Sequence, residues 1–256
     1  MSENNEFLVV GVSDLLLAIP LGHVDTLVQT PAVTKLPTQP SYVRGTVRVQ
    51  GRFVPLVDLR VRYGRPTLHS ERHQLADTLR QREAEHRTWI AALEEAASKG
   101  ERFTGQTDPG MCAFGRWYAQ YQPPTESLRA LFKRFEKPHG SFHGVASRCN
   151  ELVDAGKLSE AMTVVKEARH RELAELLALF TQAYAALEQD VREVTVVMTR
   201  DGTEVAVAVD QVLQVETLDV RADVGGRQIA ELPDNSNTVS VLDLDEILEF
   251  ASRQVA

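Results

Sequence analysis

The sequence predicts an α+β chain of more than one domain, with a helical bundle set inside a β-rich part that the chain builds in two passes. Three observations carry this. Residues 6–63 read as a series of short strands. Residues 71–189 show almost no strand pattern. Strands return at residue 193, and the returning set looks like the first.

The first set is "FLVVGV", "LLLAIPL", "HVDTLV", "YVRGTVRVQ" and "RFVPLVDLR". These runs are short, rich in β-branched residues and separated by turn formers, which is a meander signature. Gly51 in "VQGRF" marks a tight connection. Closure into a barrel or sandwich is the usual way to bury such strands. The character changes near residue 66. "ERHQLADTLRQREAEHRTWIAALEEAASKG" is a long charged helix with Leu75, Leu79, His86, Trp89, Ile90 and Leu93 at helical spacing, stopped by Gly100. "TDPGMCAFGRWYAQY" opens a second helix, with Asp108 as cap and Pro109 in the first turn, so Cys112 falls in that turn as well. "TESLRALFKRFEK" is a third, with Leu128, Leu131, Phe132 and Phe135 on one side, and Pro138 breaks or restarts the helix before His139. "LSEAMTVVKEARHRELAELLALFTQAYAALEQD" is a last long helix. The segment reads as an antiparallel bundle of about four main helices. From 193, "REVTVVMTRDGTEVAVAVDQVLQVE" is hairpin-like, with Asp201-Gly202 at the turn.

Two matches between the outer segments occur in the same order. "AIPLGHVDTLV" from Ala18 aligns with "AVAVDQVLQVE" from Ala206, sharing Val24 and Val212. "FVPLVDL" from Phe53 aligns with "TVSVLDL" from Thr238, and both end in aspartate-leucine, Asp58-Leu59 and Asp243-Leu244. The simple reading is a duplicated β-unit with the helical part inserted between its halves.

Composition narrows the function classes. The 256 residues are 43% hydrophobic and 25% charged, an ordinary globular make-up. A net charge of −8 argues against nucleic acid as partner. No apolar run approaches the roughly 20 residues of a membrane span. "MSENNEF" is polar and acidic, unlike a secretory signal. Two cysteines make no disulfide framework. The expectation is a cytoplasmic protein in a reducing compartment, where a cysteine is free to be a ligand or redox group.

The chemistry-bearing pattern is "EKPHGSFHG", which spaces His139 and His143 four residues apart, on one helix face. That spacing suits a metal ion, and it equally suits two hydrogen-bonded core histidines. Family resemblance adds to this. The stretches "LLLAIPLGHVDTLV", "LPTQPSYVRGTVRVQGRFVPLVDLR", "VAVAVDQVLQVE" and "VSVLDLDEIL", over most of 6–65 and 193–250, resemble the CheW-like domain of bacterial chemotaxis adaptors. The pattern Pro37, Pro40, Gly45, Gly51, Pro55 and Asp58 carries that resemblance, which implies two small five-stranded β-barrels. Many members have an arginine where this chain has Gln50, which bears on partner choice. "HRTW", "CAFGRWY" and "PHGSFH", in that order over about 83–188, resemble the chemoreceptor zinc-binding domain, CZB. Boundaries follow at 1–68 for the first CheW-like part, 69–190 for the CZB-like insert and 191–256 for the second CheW-like part.

The CZB resemblance implies one Zn²⁺ held by His86, Cys112, His139 and His143. The physics allows it. Zinc takes four N or S ligands in a tetrahedron. His86 shares the apolar stripe of Trp89, Ile90 and Leu93, and a helix N-terminus favours the Cys112 thiolate. Gaps of 26 and 27 residues separate His86, Cys112 and His139, which suits helices and connections and not a small zinc ribbon. Cys149 lies six residues past His143, roughly 9 Å along a continuous helix, and is expected in the core. His170 sits among charges, His69 and His73 near the domain junction, and His23 in a strand without nearby ligand types. Trp89 and Trp117 read as core, and Asp58 and Asp243 as turn or helix caps.

The resemblances imply a non-enzymatic adaptor that docks to chemoreceptor cytoplasmic tips and a CheA-type histidine kinase, without direct membrane insertion. Zinc or oxidant would be its input through the insert, and by the same resemblance the insert would form a homodimer. Two rival readings stand beside this. In one, the zinc is purely structural. In the other, the chain is a zinc hydrolase with Glu85 or Glu136 as base, which needs an open coordination position that four protein ligands do not leave.

Overall fold

The computed structural model describes residues 5–37, 39–189, 193–222, 227–233 and 237–253. They form two compact units, one of residues 1–71 with 192–256 and the other of 72–191.

The first unit begins with β1 (Glu6–Val12) and β2 (Leu15–Pro20), a 3-10 turn at Leu21–His23, and β3 (Val24–Gln29). Then come β4 (Val33–Thr34), β5 (Val43–Val49), β6 (Arg52–Asp58) and the short α1 (Leu59–Arg62). After the insert it resumes with β7 (Val194–Arg200), β8 (Thr203–Val209), β9 (Gln211–Thr217), β10 (Arg221–Ala222), β11 (Gln228–Glu231) and β12 (Thr238–Val241). It ends in α8 (Leu244–Arg253).

The topology explains the duplication. One sheet runs β10-β11-β12-β2-β1-β9 and the other β4-β5-β6-β8-β7-β3. Adding six to each strand number of the second order, and counting on from β12 to β1, gives the first. Each half lends its opening hairpin to the other half's sheet. β6 pairs in parallel with β8, Val57 against Val207, and β12 pairs in parallel with β2, Val241 against Ala18. The aspartate that ends β6 and the one two residues past β12 each cap a helix. Asp58 accepts from the Val61 amide at 3.2 Å, and Asp243 from the Glu246 amide at 3.1 Å.

Residue alternation sorts the strands into three cores. In β1, Leu8, Val10 and Val12 face a shared core with Val205, Val207 and Val209 of β8. Phe7 and Val9 face the opposite way, toward Ala18, Ala230 and Val239. Ala206 and Ala208 of β8 likewise meet Val47, Val54 and Leu56. A strand buried on both faces reads as a continuous apolar run, as "FLVVGV" and "VAVAV" do.

The expected pair of five-stranded barrels is corrected. Both sheets have six strands, and among the described residues neither closes, since β10 and β9, like β4 and β3, end their sheets unjoined. The extra strand in the first half is β4, two residues between Pro31 and Pro37, too short to stand out in the sequence or to support a closing ladder. Its approach fixes Gly45. With φ +136°, a Cβ there would sit 2.1 Å from the Thr34 carbonyl oxygen.

The second unit is helical: α2 (Leu68–Lys99), which begins in the first unit, then α3 (Ala113–Tyr118), α4 (Glu126–Lys133), α5 (Glu136–Asp154), α6 (Leu158–His170) and α7 (Glu172–Gln189). α2 buries Leu79, His86, Ile90, Leu93 and Ala97, a single helical stripe. α5 buries the fullest face, from Pro138 to Val153. Two sequence expectations shift. The long last helix is two, interrupted at Arg171 (φ −111°, ψ −75°). Asp108 caps a preceding turn, accepting from the Gly110 amide at 2.8 Å, and Cys112 is itself the N-cap of α3.

Candidate metal centre

Two helices and the N-cap of a third bring the chemistry together. His86 comes from the buried stripe of α2, His139 and His143 from one face of α5, and Cys112 from the N-cap of α3. Their ligand atoms all lie within 4.8 Å of one another. Bonds of about 2.0–2.3 Å would give tetrahedron edges of about 3.3–3.8 Å, so the cluster has the scale of a zinc site with a slightly open spread.

The rings are dry: His86 is 4% exposed, His139 6% and His143 1%. Phe114 stands edge-on to His139 at 4.9 Å, Phe142 tilts against His86 at 5.4 Å, and Trp89 lies edge-on to His143 at 4.9 Å. This aromatic wall holds all three histidines neutral. Burial, with the neighbouring imidazoles, pushes His139 down to about 3 and His143 to about 4, and burial lowers His86 too. A neutral imidazole is the form that binds metal.

Polar partners tell ligand from packing. The His86 Nδ1 lies 2.6 Å from the Arg82 carbonyl oxygen, which orients its Nε2 away from its own helix backbone. That Nε2 is buried without a hydrogen-bond partner, as are both ring nitrogens of His143. The Gln106 carbonyl favours the charged form of His143, and it accepts from the Trp89 indole N–H at 2.7 Å. The Cys112 Sγ lies 3.2 Å from His139 Nε2. Three imidazoles and a thiol, with three buried nitrogens unmatched by protein, fit a zinc ion.

Cys112 differs from its expected setting. The α3 end still favours the thiolate, with the Gly115 amide donating to Sγ at 3.2 Å. Burial is the larger influence and pushes the thiol up. Gly115 is the residue that sequence reading quoted but left without a task. A Cβ there would lie 1.9 Å from the Pro109 carbonyl oxygen, so only glycine lets the 108–112 turn lie against α3.

The other histidines and Cys149 stay out of the cluster. Cys149 is 1% exposed in the bundle core. His23 contacts the Thr199 carbonyl at 3.2 Å, and His170 is exposed. Asp58 and Asp243 are the caps described above. Glu85 is held by Arg82 at 2.6 Å, and Glu136 accepts from the Tyr118 hydroxyl at 3.2 Å. No helix among the described residues is long and apolar enough to cross a membrane.

A duplicated two-sheet unit joined to a helical unit with a buried His₃Cys cluster defines a β-scaffold combined with a metal-binding bundle. Family comparison names both parts. Residues 6–83 match the CheW-like domain, and residues 86–150 match the chemoreceptor zinc-binding domain. A CheW-like segment is thus followed by a zinc-binding-domain segment, and His86, Cys112, His139 and His143 all fall within the second. Among solved structures it is similar to the scaffolding protein TtCheW from Thermoanaerobacter tengcongensis, at 10% identity over 93% of this chain and 88% of that one, with a TM-score of 0.41. Comparison with curated proteins finds no match.

Proposed function

We propose that this chain couples chemoreceptor cytoplasmic tips to a CheA-type histidine kinase through its β-unit, and that its helical unit holds one Zn²⁺ on His86, Cys112, His139 and His143 as a cytoplasmic input. The CheW-like domain is taken to continue from residues 1–68 into 191–256, around a CZB insert of 69–190. The observation that carries the reading is the cluster of four donors within 4.8 Å, with His86 Nε2 and both His143 nitrogens buried and unpartnered. Bound zinc would supply a positive centre that keeps the Cys112 thiolate deprotonated and ties three helix segments together.

The role of each residue follows from its place. His139 and His143 set two donors one turn apart on α5. His86 brings the α2 stripe to them, and Arg82 fixes its tautomer through the 2.6 Å contact. Cys112 is the half-buried donor and the one open to oxidation. Converting its thiolate to a sulfenic acid removes the negative sulfur, which is the proposed oxidant response. Glu85 and Glu136 are engaged by Arg82 and Tyr118, which supports an adaptor over a hydrolase.

The test is elemental analysis of the purified chain and its single alanine variants, with capture of candidate kinases and receptors by immobilised wild type. One zinc per chain, lost in His139→Ala and His143→Ala, is the expected result. Full retention in both sinks the ligand assignment, and failure to bind any kinase or receptor sinks the adaptor reading.

A further inference from the structure

Residues 101–112 deliver Cys112 to the cluster, and they form no helix or strand of their own. Most of their side chains are exposed, with only Phe103, Pro109 and Cys112 partly covered. A segment of this kind takes its position from whatever ties its backbone down.

Two side chains of the bundle supply such ties. Asn150 of α5 meets both backbone groups of Phe103. The Phe103 amide donates to its Oδ1 at 2.8 Å, and its Nδ2 donates to the Phe103 carbonyl at 3.1 Å. A side-chain amide used in this way takes the place of the neighbouring strand that the segment lacks. Three residues on, the Gln106 carbonyl accepts from the Trp89 indole N–H at 2.7 Å. The Phe103 ring stands edge-on to Trp89 at 5.1 Å and lies so close over Gly105 that a Cβ there would collide with it. The ties continue toward the thiol. The Gln106 Oε1 accepts from the Asp108 amide at 2.9 Å, and the Asp108 carbonyl accepts from the Met111 and Cys112 amides at 3.1 and 3.2 Å.

Asn150 itself is 9% exposed and sits on the α5 face of Ala146, Cys149 and Val153. An amide in such a place costs stability unless its polar atoms are bonded, so packing alone does not call for one. It lies seven residues past His143, roughly 10 Å along the helix, too far to be a ligand. Given the ligand set proposed above, we infer that Asn150 is a positioning residue for the thiolate donor: by pinning Phe103 it holds residues 101–112 so that Cys112 Sγ meets the three imidazoles. The histidines are placed by α2 and α5 themselves, and only the thiol depends on this tie.

Chelator competition for zinc on the full chain decides it, with wild type, Asn150→Ala, Cys112→Ala and the double variant. Asn150→Ala should weaken zinc about tenfold in the wild-type background and have little effect once Cys112 is alanine. In the zinc-free chain, iodoacetamide should alkylate Cys112 several-fold faster in Asn150→Ala, with Cys149 at its wild-type rate in the mass spectrum. Should Asn150→Ala lose its helical circular dichroism, Asn150→Asp carries the same test, since it keeps the acceptor for the Phe103 amide and loses the donor. Unchanged zinc affinity overturns the inference, as does an equal loss in the Cys112→Ala background. Cys112 and Cys149 speeding up together would mark Asn150 as a packing residue of the bundle. A wild-type chain that takes up no zinc defeats the ligand assignment as well, which separates the two failures.

Discussion

At His143 a ring almost wholly out of water has neither nitrogen hydrogen-bonded, which costs about 1–3 kcal/mol for each polar group left so. A residue kept for packing would not be built that way. In chelator, His143→Leu should therefore unfold at the same or a higher denaturant midpoint than the parent. With zinc present the parent should gain stability and the variant should not, because only the parent binds the ion in its native state. A variant that is strongly destabilised in chelator would mark His143 as a packing residue. Gly115 acts at the same scale. Gly115→Ala puts a methyl into the Pro109 carbonyl and displaces the amide that supports Cys112, so metal affinity should fall roughly 10–100-fold in a chelator competition. For oxidation, a short hypochlorite pulse should convert the Cys112 thiolate to sulfenic acid with chloride leaving, and zinc should appear in solution with it. Cys149, 1% exposed and outside the cluster, should oxidise later in the mass spectrum. Earlier oxidation of Cys149, or oxidation of Cys112 without metal loss, would leave a structural zinc as the better account.

Among elements, the ends of the β-unit's two segments are held by arginines that each join its two halves. Arg44 of β5 reaches Asp58 at 2.7 Å and grips Glu193 through two bonds at 2.5 and 2.7 Å. Arg60 of α1 takes Asp210 through two bonds at 2.7 Å and Glu71, in the first turn of α2, at 2.5 Å. Its side chain is 4% exposed. Arg60→Ala takes both guanidinium bonds from the half-buried Asp210, leaving it the Ser13 amide at 2.6 Å, and should cost about 3 kcal/mol in urea unfolding. Arg65→Ala, which removes a surface pair with Asp14, should leave the midpoint in place. Neither arginine's role was legible beforehand, since nothing local ties Arg60 to a residue 150 positions away. What was legible rested on short-range physics. The α2 stripe carried His86 inward with Ile90 and Leu93, and the HxxxH step put His139 and His143 on one face. The aspartates before Leu59 and Leu244 read correctly as caps. The misses rested on tertiary contacts: β4 exists through pairing with β5, the Arg171 break lies in an unbroken helical pattern, and the Cys112 cap follows from how the 108–112 turn packs.

For the whole molecule, the exchange of hairpins between sheets makes the two outer segments one folding problem. Residues 1–65 alone hold β1 and β2 without β9 and β12, and β3 to β6 without β7 and β8. Expressed alone, that fragment should show no cooperative unfolding. Mixed with residues 192–256, or joined to them by a short flexible linker in place of 66–191, it should give a β-protein with a single transition. A linked chain that stays disordered in circular dichroism would count against this. In the intact chain, zinc chelation should lower the melting of the helical signal and leave the β-signal where it was.

The same exchange has a consequence for the order of events at synthesis. When the first six strands have left the ribosome, their partners are more than a hundred residues from being made, so they wait with open edges. The bundle depends on nearer contacts and closes first, as helices with local neighbours do. Once closed, it replaces a long flexible loop by a compact body and so lessens the entropy lost when the late strands join the early ones. The insert should thereby act as an intramolecular folding aid beside its proposed metal-holding role. A chain whose bundle is destabilised, as in Phe142→Ala, should yield more aggregated β-unit on expression than the linked β-unit from which the bundle has been removed.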